Sequence, residues 1–279
     1  MSDALESHYG RDKLLDSILR TLREAGRDVD ALTRDDLAGF EEFHLQGREG
    51  TRELARLAEI GPGDEVLDIA CGLGGPARTL ASEIGCRVTG IDLTGSYVDA
   101  AVGLTRRVGL AGRVSFRRAN ALELPFDDAS FDVVWLQHMQ FNVDDKARLL
   151  AGIARVLRPG GRVALHEIFA GPEGPLHFPV PFDPDGSLSH MITPETFLAL
   201  AGRAGLECRH WRDITERATS WVERSLASLE ERPVEAPSPL GQNIVMGPQF
   251  FDVLRVMLRN LKENRARVLL GVLEKSGAR

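Results

Sequence analysis

Three polar residues stand around one glycine loop in this chain of 279 residues. Asp68 lies in the apolar run Val66-Leu67-Asp68-Ile69-Ala70-Cys71, just before Gly72-Leu73-Gly74-Gly75-Pro76. Asp92 closes the next apolar run and Asn120 follows the third. A carboxylate placed before a glycine turn repels a pyrophosphate, but it can hold an ammonium or orient its water shell. A carboxylate ending the second run can accept both hydroxyls of a ribose. An amide after the third run is positioned to meet an adenine edge. The glycines admit backbone conformations and close approaches that side chains block, and Pro76 suits the first turn of a helix. A cofactor can then lie against bare backbone near that helix N-terminus. Gly72-x-Gly74-x-x-Ala77 also fits the dinucleotide fingerprint, so the loop alone leaves NAD open, and Asp68 weighs against it.

A second group follows the fourth and fifth apolar runs. Gln137-His138-Met139-Gln140-Phe141-Asn142 comes after the fourth, and His166-Glu167 closes the fifth. Histidine titrates near neutrality, which makes His138 the leading candidate base; Glu167 can orient it, bind a cationic acceptor or take the proton itself. The plainer readings are a His138 that packs beside the cofactor and a Glu167 that is a structural acid. His166 points to the opposite face from its neighbour, toward a helix. His177, Phe178 and His190, in the proline- and glycine-rich stretch 171–190, either line an acceptor pocket or stand in solvent. Phe43 and His44 stand just before the Gly47 turn, where a plain helix end is one reading.

Strands are expected at 65–70, 86–92, 113–118, 131–136, 162–168, 206–212 and 267–273, with helices at 76–84, 95–108, 144–157 and 193–204. Alternation at this spacing predicts a parallel sheet with helices on both faces. Ahead of it, Leu14, Leu15, Ile18, Leu19 and Leu22 form one apolar face of a helix over 12–25. A second helix over 34–43, an interruption at 44–50 and a restart at 51–58 complete a helical front section. Between the last two strands, helices at 216–230 and 249–263 flank a turn-rich 232–248. The expected organisation is a helical cap at 1–60, a core at 61–212, a helical cap insertion at 213–265 and a closing strand within 266–279.

Lys and Arg number 34 against 41 Asp and Glu, for a net charge of -7, which disfavours a nucleic-acid partner. Cys71, Cys86 and Cys208 show no CxxC spacing, so neither a disulfide framework nor a zinc site is expected, and no metal. No apolar run approaches the roughly 20 residues that span a bilayer, and the N-terminus lacks the apolar core of a signal peptide. A cytoplasmic protein without a membrane partner is expected.

The chain resembles the class I S-adenosylmethionine (SAM)-dependent methyltransferases. The resemblance is carried by VLDIACGLGG, Val88-Thr89-Gly90-Ile91-Asp92-Leu93, the ANALELPF segment, Ser130-Phe131-Asp132-Val133-Val134-Trp135 and Arg155-Val156-Leu157-Arg158-Pro159-Gly160-Gly161, in order, over about residues 60–170. The style is similar to the ubiquinone/menaquinone C-methyltransferases and related small-molecule O- and N-methyltransferases. The resemblance implies a Rossmann-like α/β fold, a seven-stranded, mostly parallel sheet whose last strand is antiparallel. It implies SAM as cofactor, with Asp68 near the amino group, Ala70, Gly72 and Gly74 along the methionyl part, and Asp92 on the ribose hydroxyls. Leu93 then packs on adenine, Asn120 and Ala121 meet its edge, and Gln137 lines the cofactor. The family commonly has Asp where this chain has Asn120, whose carbonyl oxygen can accept from the adenine amino group. Some O-methyltransferases of this type pair a His after strand four with an acid after strand five. Glu167 matches the acid, but the His position holds Phe141 or Asn142, with His138 a few residues earlier.

The expected acceptor is a small molecule, met by Asn142, His177 and Phe178. C- or O-methylation of a quinone, phenol or natural product is favoured over an amine. An RNA or protein substrate, and SAM binding without turnover, compete less well with this reading. A homodimer is compatible with it.

Overall fold

The computed structural model describes residues 2–10, 13–231, 241–247 and 249–277. Its centre is a seven-stranded sheet in the order β3-β2-β1-β4-β5-β7-β6. The strands are β1 (Glu65–Ile69), β2 (Arg87–Asp92), β3 (Val114–Arg118), β4 (Phe131–Gln137), β5 (Leu157–Ala170), β6 (Leu206–Asp213) and β7 (Ala266–Lys275). The first five pair in parallel, and β7 runs antiparallel to both β5 and β6. Strand order reverses between β1 and β4, and a crevice beyond the carboxyl ends of strands at such a point is where ligands bind in open α/β sheets.

Four helices alternate with these strands: α5 (Gly75–Glu83), α6 (Gly95–Arg107), α7 (Lys146–Val156) and α8 (Pro194–Arg203). Val66, Val133, Trp135 and Ala164 pack on one sheet face, and Leu67, Ile69, Val134, Leu136 and Leu165 on the other. The even–odd split along β1 and β4 is the pleat of a sheet covered on both sides.

The front section contains α1 (Ser2–Tyr9), α2 (Leu14–Glu24), α3 (Arg34–Leu37) and α4 (Gly47–Leu57). Leu14, Ile18 and Leu22, spaced by four, bury one side of α2 with Leu37, Phe40, Leu73, Tyr97 and Leu104. The helix expected at 34–43 is one turn only. Thr33 and Asp36 form a capping box that starts it, but Glu41 and Glu42 then turn inward to buried partners. Helix α4 starts at Gly47 rather than at 51. Strand β5 is also longer than expected. Leu157 already pairs with Phe131 before a register shift, so the Arg158–Gly161 turn is a bulged strand start.

The second helical group is α9 (Thr215–Glu230), the single-turn α10 (Asn243–Met246) and α11 (Phe250–Lys262). Most of the turn-rich stretch expected at 232–248 lies outside the described residues. Helices α9 and α11 pack on each other and on β7, and α10 touches α2, so the two caps meet over the carboxyl ends of the strands.

Candidate active site

A cavity of about 240 Å³ opens at the β1/β4 switch point, between the sheet and both caps. Asp68 reaches it from β1 and is 2% exposed; its Oδ2 has no hydrogen-bond partner. Burial pushes this carboxyl well above the usual carboxylate range, and Asp92 and Glu42 repel its charge further. Asp92, at the end of β2, accepts the Gly72 N–H on Oδ2 and the Thr94 N–H on Oδ1, each at 2.9 Å. Burial raises it as well, against the pull of those backbone donors. Both carboxylates therefore sit in a site that favours an arriving cation or hydroxyl donors.

Gln137 ends β4. Its Oε1 accepts from Trp135 Nε1 at 2.7 Å, which leaves the buried Nε2 without a partner in the cavity wall. Asn120 lines the cavity, but its Oδ1 accepts the Leu122 N–H at 2.9 Å, so the carbonyl expected to meet adenine also holds a turn. Ala70, Gly72, Leu93 and Ala121 line the same space. Ala70 and His138 both have positive φ, 59° and 52°, although neither is glycine. These left-handed residues lie just past the ends of β1 and β4, where backbone strain commonly marks a functional turn.

Gly74 does not line the cavity. It caps α5 at φ 78°, and a Cβ there would run into the Phe116 ring, so its requirement for glycine is structural.

Toward the caps the lining becomes apolar, with Phe43 from the front section and Phe141 after β4. Phe182 comes from the 171–190 loop, Trp221 from α9, and Phe250 and Met257 from α11. Phe141 and Phe182 stack at 3.9 Å between ring centroids. Asn142 also faces this end. Its Oδ1 accepts from Tyr9 Oη at 3.0 Å, and its Nδ2 donates to the Phe182 and Leu188 carbonyls. Tyr9 thereby ties α1 across the cavity, and burial keeps its phenol protonated as the donor. Leu5, Tyr9, Trp221, Met246 and the Phe250/Leu254/Met257 stripe are lining residues that sequence reasoning did not single out. Their helical spacing is that of ordinary core positions, and only the fold turns them toward a common space.

His138 lines the cavity, with its Nε2 buried and without a partner. Burial and the neighbouring His44 push the imidazole well below the usual histidine range, so it is neutral at physiological pH. The other expected acceptor-side residues are placed elsewhere. Glu167 is 0% exposed and does not reach the cavity; both its oxygens face the N–H groups of Met139 and Gln140 at 3.1–3.4 Å. Burial lifts its carboxyl to about 8 in spite of them. It caps the 3₁₀ turn Gln140–Asn142. His177 pairs with Glu263 at 2.7 Å and exchanges backbone bonds with the Asn260 side chain, away from the cavity. Phe178 packs on the core beside Gly186. Loop patterning carries no information on side-chain direction, which is why these two were misplaced.

The wall fits SAM. A partnerless buried acid suits an ammonium, a backbone-held carboxylate suits vicinal hydroxyls, and Leu93, Ala121 and Leu122 offer an apolar flank for a base. Comparison with known proteins gives the same answer. A methyltransferase-domain family model matches residues 67–165. The O-methyltransferase resE of Aspergillus sclerotiorum is 31% identical over 268 residues, 85% of this chain and 100% of resE. Methyltransferase GfsG of Streptomyces halstedii is 33% identical over 179 residues, 61% of this chain and 63% of GfsG, so this match spans under two thirds of that relative. Among solved structures, phosphoethanolamine N-methyltransferase 2 of Haemonchus contortus, in complex with SAM, superposes with a TM-score of 0.73 at 22% identity. That superposition covers 95% of this chain and 60% of the other. The chain belongs to the class I SAM-dependent methyltransferases, and its cofactor is SAM. Its acceptor is a small molecule.

Proposed function

We propose that this enzyme methylates a hydroxyl of a neutral, largely apolar small molecule such as a phenol, a reduced quinone or a natural product, with His138 receiving the proton. The observation that carries this is the His138 ring, held neutral by burial, in the wall of an aromatic chamber. When bound, SAM supplies an electrophilic methyl group whose transfer discharges the sulfonium. Asp68, Asp92 and Gln137 anchor the donor, while the walls from α9, α11 and the 171–190 loop exclude water and align the acceptor. His138 accepts a hydrogen bond from the hydroxyl and then its proton. A methylated oxygen that still carries a proton is a strong acid, so a weakly basic imidazole suffices. Glu167 acts as a positioning residue by fixing the turn after β4.

Among the described residues no Lys or Arg lines the cavity, which speaks against a phosphorylated acceptor. Glu41 lines it but is held by Arg34 and Arg78, so it is poorly placed to hold an amine. That favours O-methylation over the N-methylation named for the Haemonchus protein. resE, described as an O-methyltransferase, lends further support. A cytoplasmic location is supported by three cysteines that are all free thiols, and no described helix is long and apolar enough to cross a membrane. The net charge of -7 supports the absence of a nucleic-acid partner. A homodimer stays part of the reading.

The test is incubation with SAM and matched panels of phenols, hydroquinones and amines, with S-adenosylhomocysteine and methylated product followed by mass spectrometry. His138→Ala should lower kcat on the best hydroxyl acceptor by roughly 10²–10⁴-fold, the usual worth of a placed proton acceptor. SAM affinity should change less than about threefold. Turnover of amines alone, or unchanged kcat in the variant, would refute the proposal.

A further inference from the structure

One aromatic ring dictates two of the glycines around the cofactor loop. Phe116 of β3 stands opposite Gly90 in the parallel β2/β3 pairing, on the sheet face that α5 covers. A Cβ at Gly90 would lie 2.5 Å from Phe116 Cδ1, 2.7 Å from Cε1 and 2.9 Å from Cys71 Sγ. A ring laid over a strand glycine fills the space that the missing side chain leaves. This ring reaches further than the strand pair. A Cβ at Gly74 would overlap Phe116 Cζ and lie 2.7 Å from the same Cε1. One edge of the ring is thereby wedged between β2 and the N-cap of α5.

The loop that the ring touches is held unevenly. Its first half is tied to β2, with the Cys71 N–H on the Ile91 carbonyl at 3.0 Å and the Gly72 N–H on Asp92 Oδ2 at 2.9 Å. At Gly74 the backbone bonds stay within the loop and its helix. The Gly74 N–H donates to the Cys71 carbonyl at 2.8 Å, and the Gly74 carbonyl accepts from the Arg78 N–H at 3.0 Å. Packing must then fix where this half sits. The front section supplies Phe43 against Gly72 and the Glu41 carbonyl against Gly75, and the sheet supplies Phe116 against Gly74. We propose that Phe116 is a positioning residue for cofactor binding, whose ring props the glycine loop so that Ala70, Gly72 and Asp92 keep the arrangement that receives SAM. Ala70, Gly72 and Asp92 line the cavity, whereas Phe116 is half-buried and does not, so it acts through Gly74 and Cys71. Without the ring the loop adopts other arrangements, and affinity falls in proportion to the competent population lost. The role of His138 does not enter.

The experiment is titration calorimetry with SAM, paired with amide hydrogen exchange of the cofactor-free full chain, for the native protein, Phe116→Leu and Phe116→Ala. Leucine keeps carbon over Gly90 but lacks the ring atoms Cε1 and Cζ that meet Gly74. Phe116→Leu should therefore preserve the sheet and release the loop. Its Kd for SAM should rise roughly tenfold, as for a competent population of about one tenth. The amides of Cys71, Gly72 and Gly74 should exchange faster while those of β4 and β5 stay protected. Phe116→Ala should show the same loss of affinity or a larger one, with a lower Tm. A merely structural role would lower Tm and leave the Kd in place. Native SAM affinity in both variants overturns the proposal, as does a loop that keeps its protection or protection lost throughout the sheet.

Discussion

Replacing Asp68 by Asn should weaken SAM binding by roughly 30-fold to several thousandfold at pH 7.5, the 2–5 kcal/mol lost when one partner of a buried charge pair is removed. The geometry gives the effect a pH signature. In the cofactor-free protein Asp68 Oδ2 is buried without a partner, and burial together with Asp92 and Glu42 holds the carboxyl well above its usual range. The folded state therefore retains a proton that the unfolded chain has released above about pH 4. Because the folded state binds more protons in that window, this group lowers cofactor-free stability as pH rises through it. An arriving ammonium reverses the balance by favouring the ionised carboxylate, so binding expels the proton. Calorimetric titrations of SAM in buffers of different ionisation enthalpy should show proton release on binding. The SAM-induced rise in Tm should grow from pH 5.5 to 7.5, and the affinity gap between native protein and Asp68→Asn should narrow as pH falls. Equal affinities at pH 7.5, or no buffer dependence, would remove Asp68 from the site.

Glu41→Ala should cost the fold about 3–5 kcal/mol, since it strands a buried cation. Arg78 is 0% exposed, with Nε 3.0 Å and Nη2 2.7 Å from Glu41 Oε2 and Nη1 2.9 Å from Thr105 Oγ1. Glu41 also holds Arg34, whose guanidinium is lowered by burial and partly restored by Glu41. This clasp joins the segment after α3 to α5 and α6, the helices that follow the glycine loop and β2. For a domain of this size the loss corresponds to a Tm lower by roughly 10 °C. SAM affinity should fall too, because Phe43 and His44 follow directly in the chain and line the cavity. An Arg78→Met substitution added to Glu41→Ala should recover much of the stability, since the uncompensated charge is then gone. Urea titrations of both variants decide the point, and a Glu41→Ala cost below about 1 kcal/mol would show that water reaches Arg78.

The Rossmann-like core was legible because each strand and helix carries its own period. Apolar runs bounded by turns placed β1 to β4 within a residue or so of their observed ends. That Asp68, Asp92, Asn120 and Gln137 line one cavity was legible for a related reason, since each lies at or near the carboxyl end of its strand. What escaped depends on partners far away in the chain. The expected helix over 34–43 stops at Leu37 because Glu41 meets Arg78, 37 residues on, and Glu42 meets Thr79. The acceptor chamber was illegible for the same cause. Phe250, Leu254 and Met257 have the spacing of ordinary core positions on one helix face, and Tyr9 meets Asn142 across 133 residues. His138 and Glu167 were both candidates, but only His138 lines the cavity, a difference that burial alone reveals. Glu167 spends itself on backbone N–H groups, whereas the His138 ring lines the cavity.

The central claim is that this cavity presents a SAM-held methyl group to His138 and the aromatic chamber. A crystal structure with S-adenosylhomocysteine tests it most directly. The account predicts the ammonium on Asp68, the ribose hydroxyls on Asp92, and the sulfur turned toward His138 with the Phe141–Phe182 stack beyond it. A sulfur facing away from His138, or an ammonium not in contact with Asp68, would contradict it.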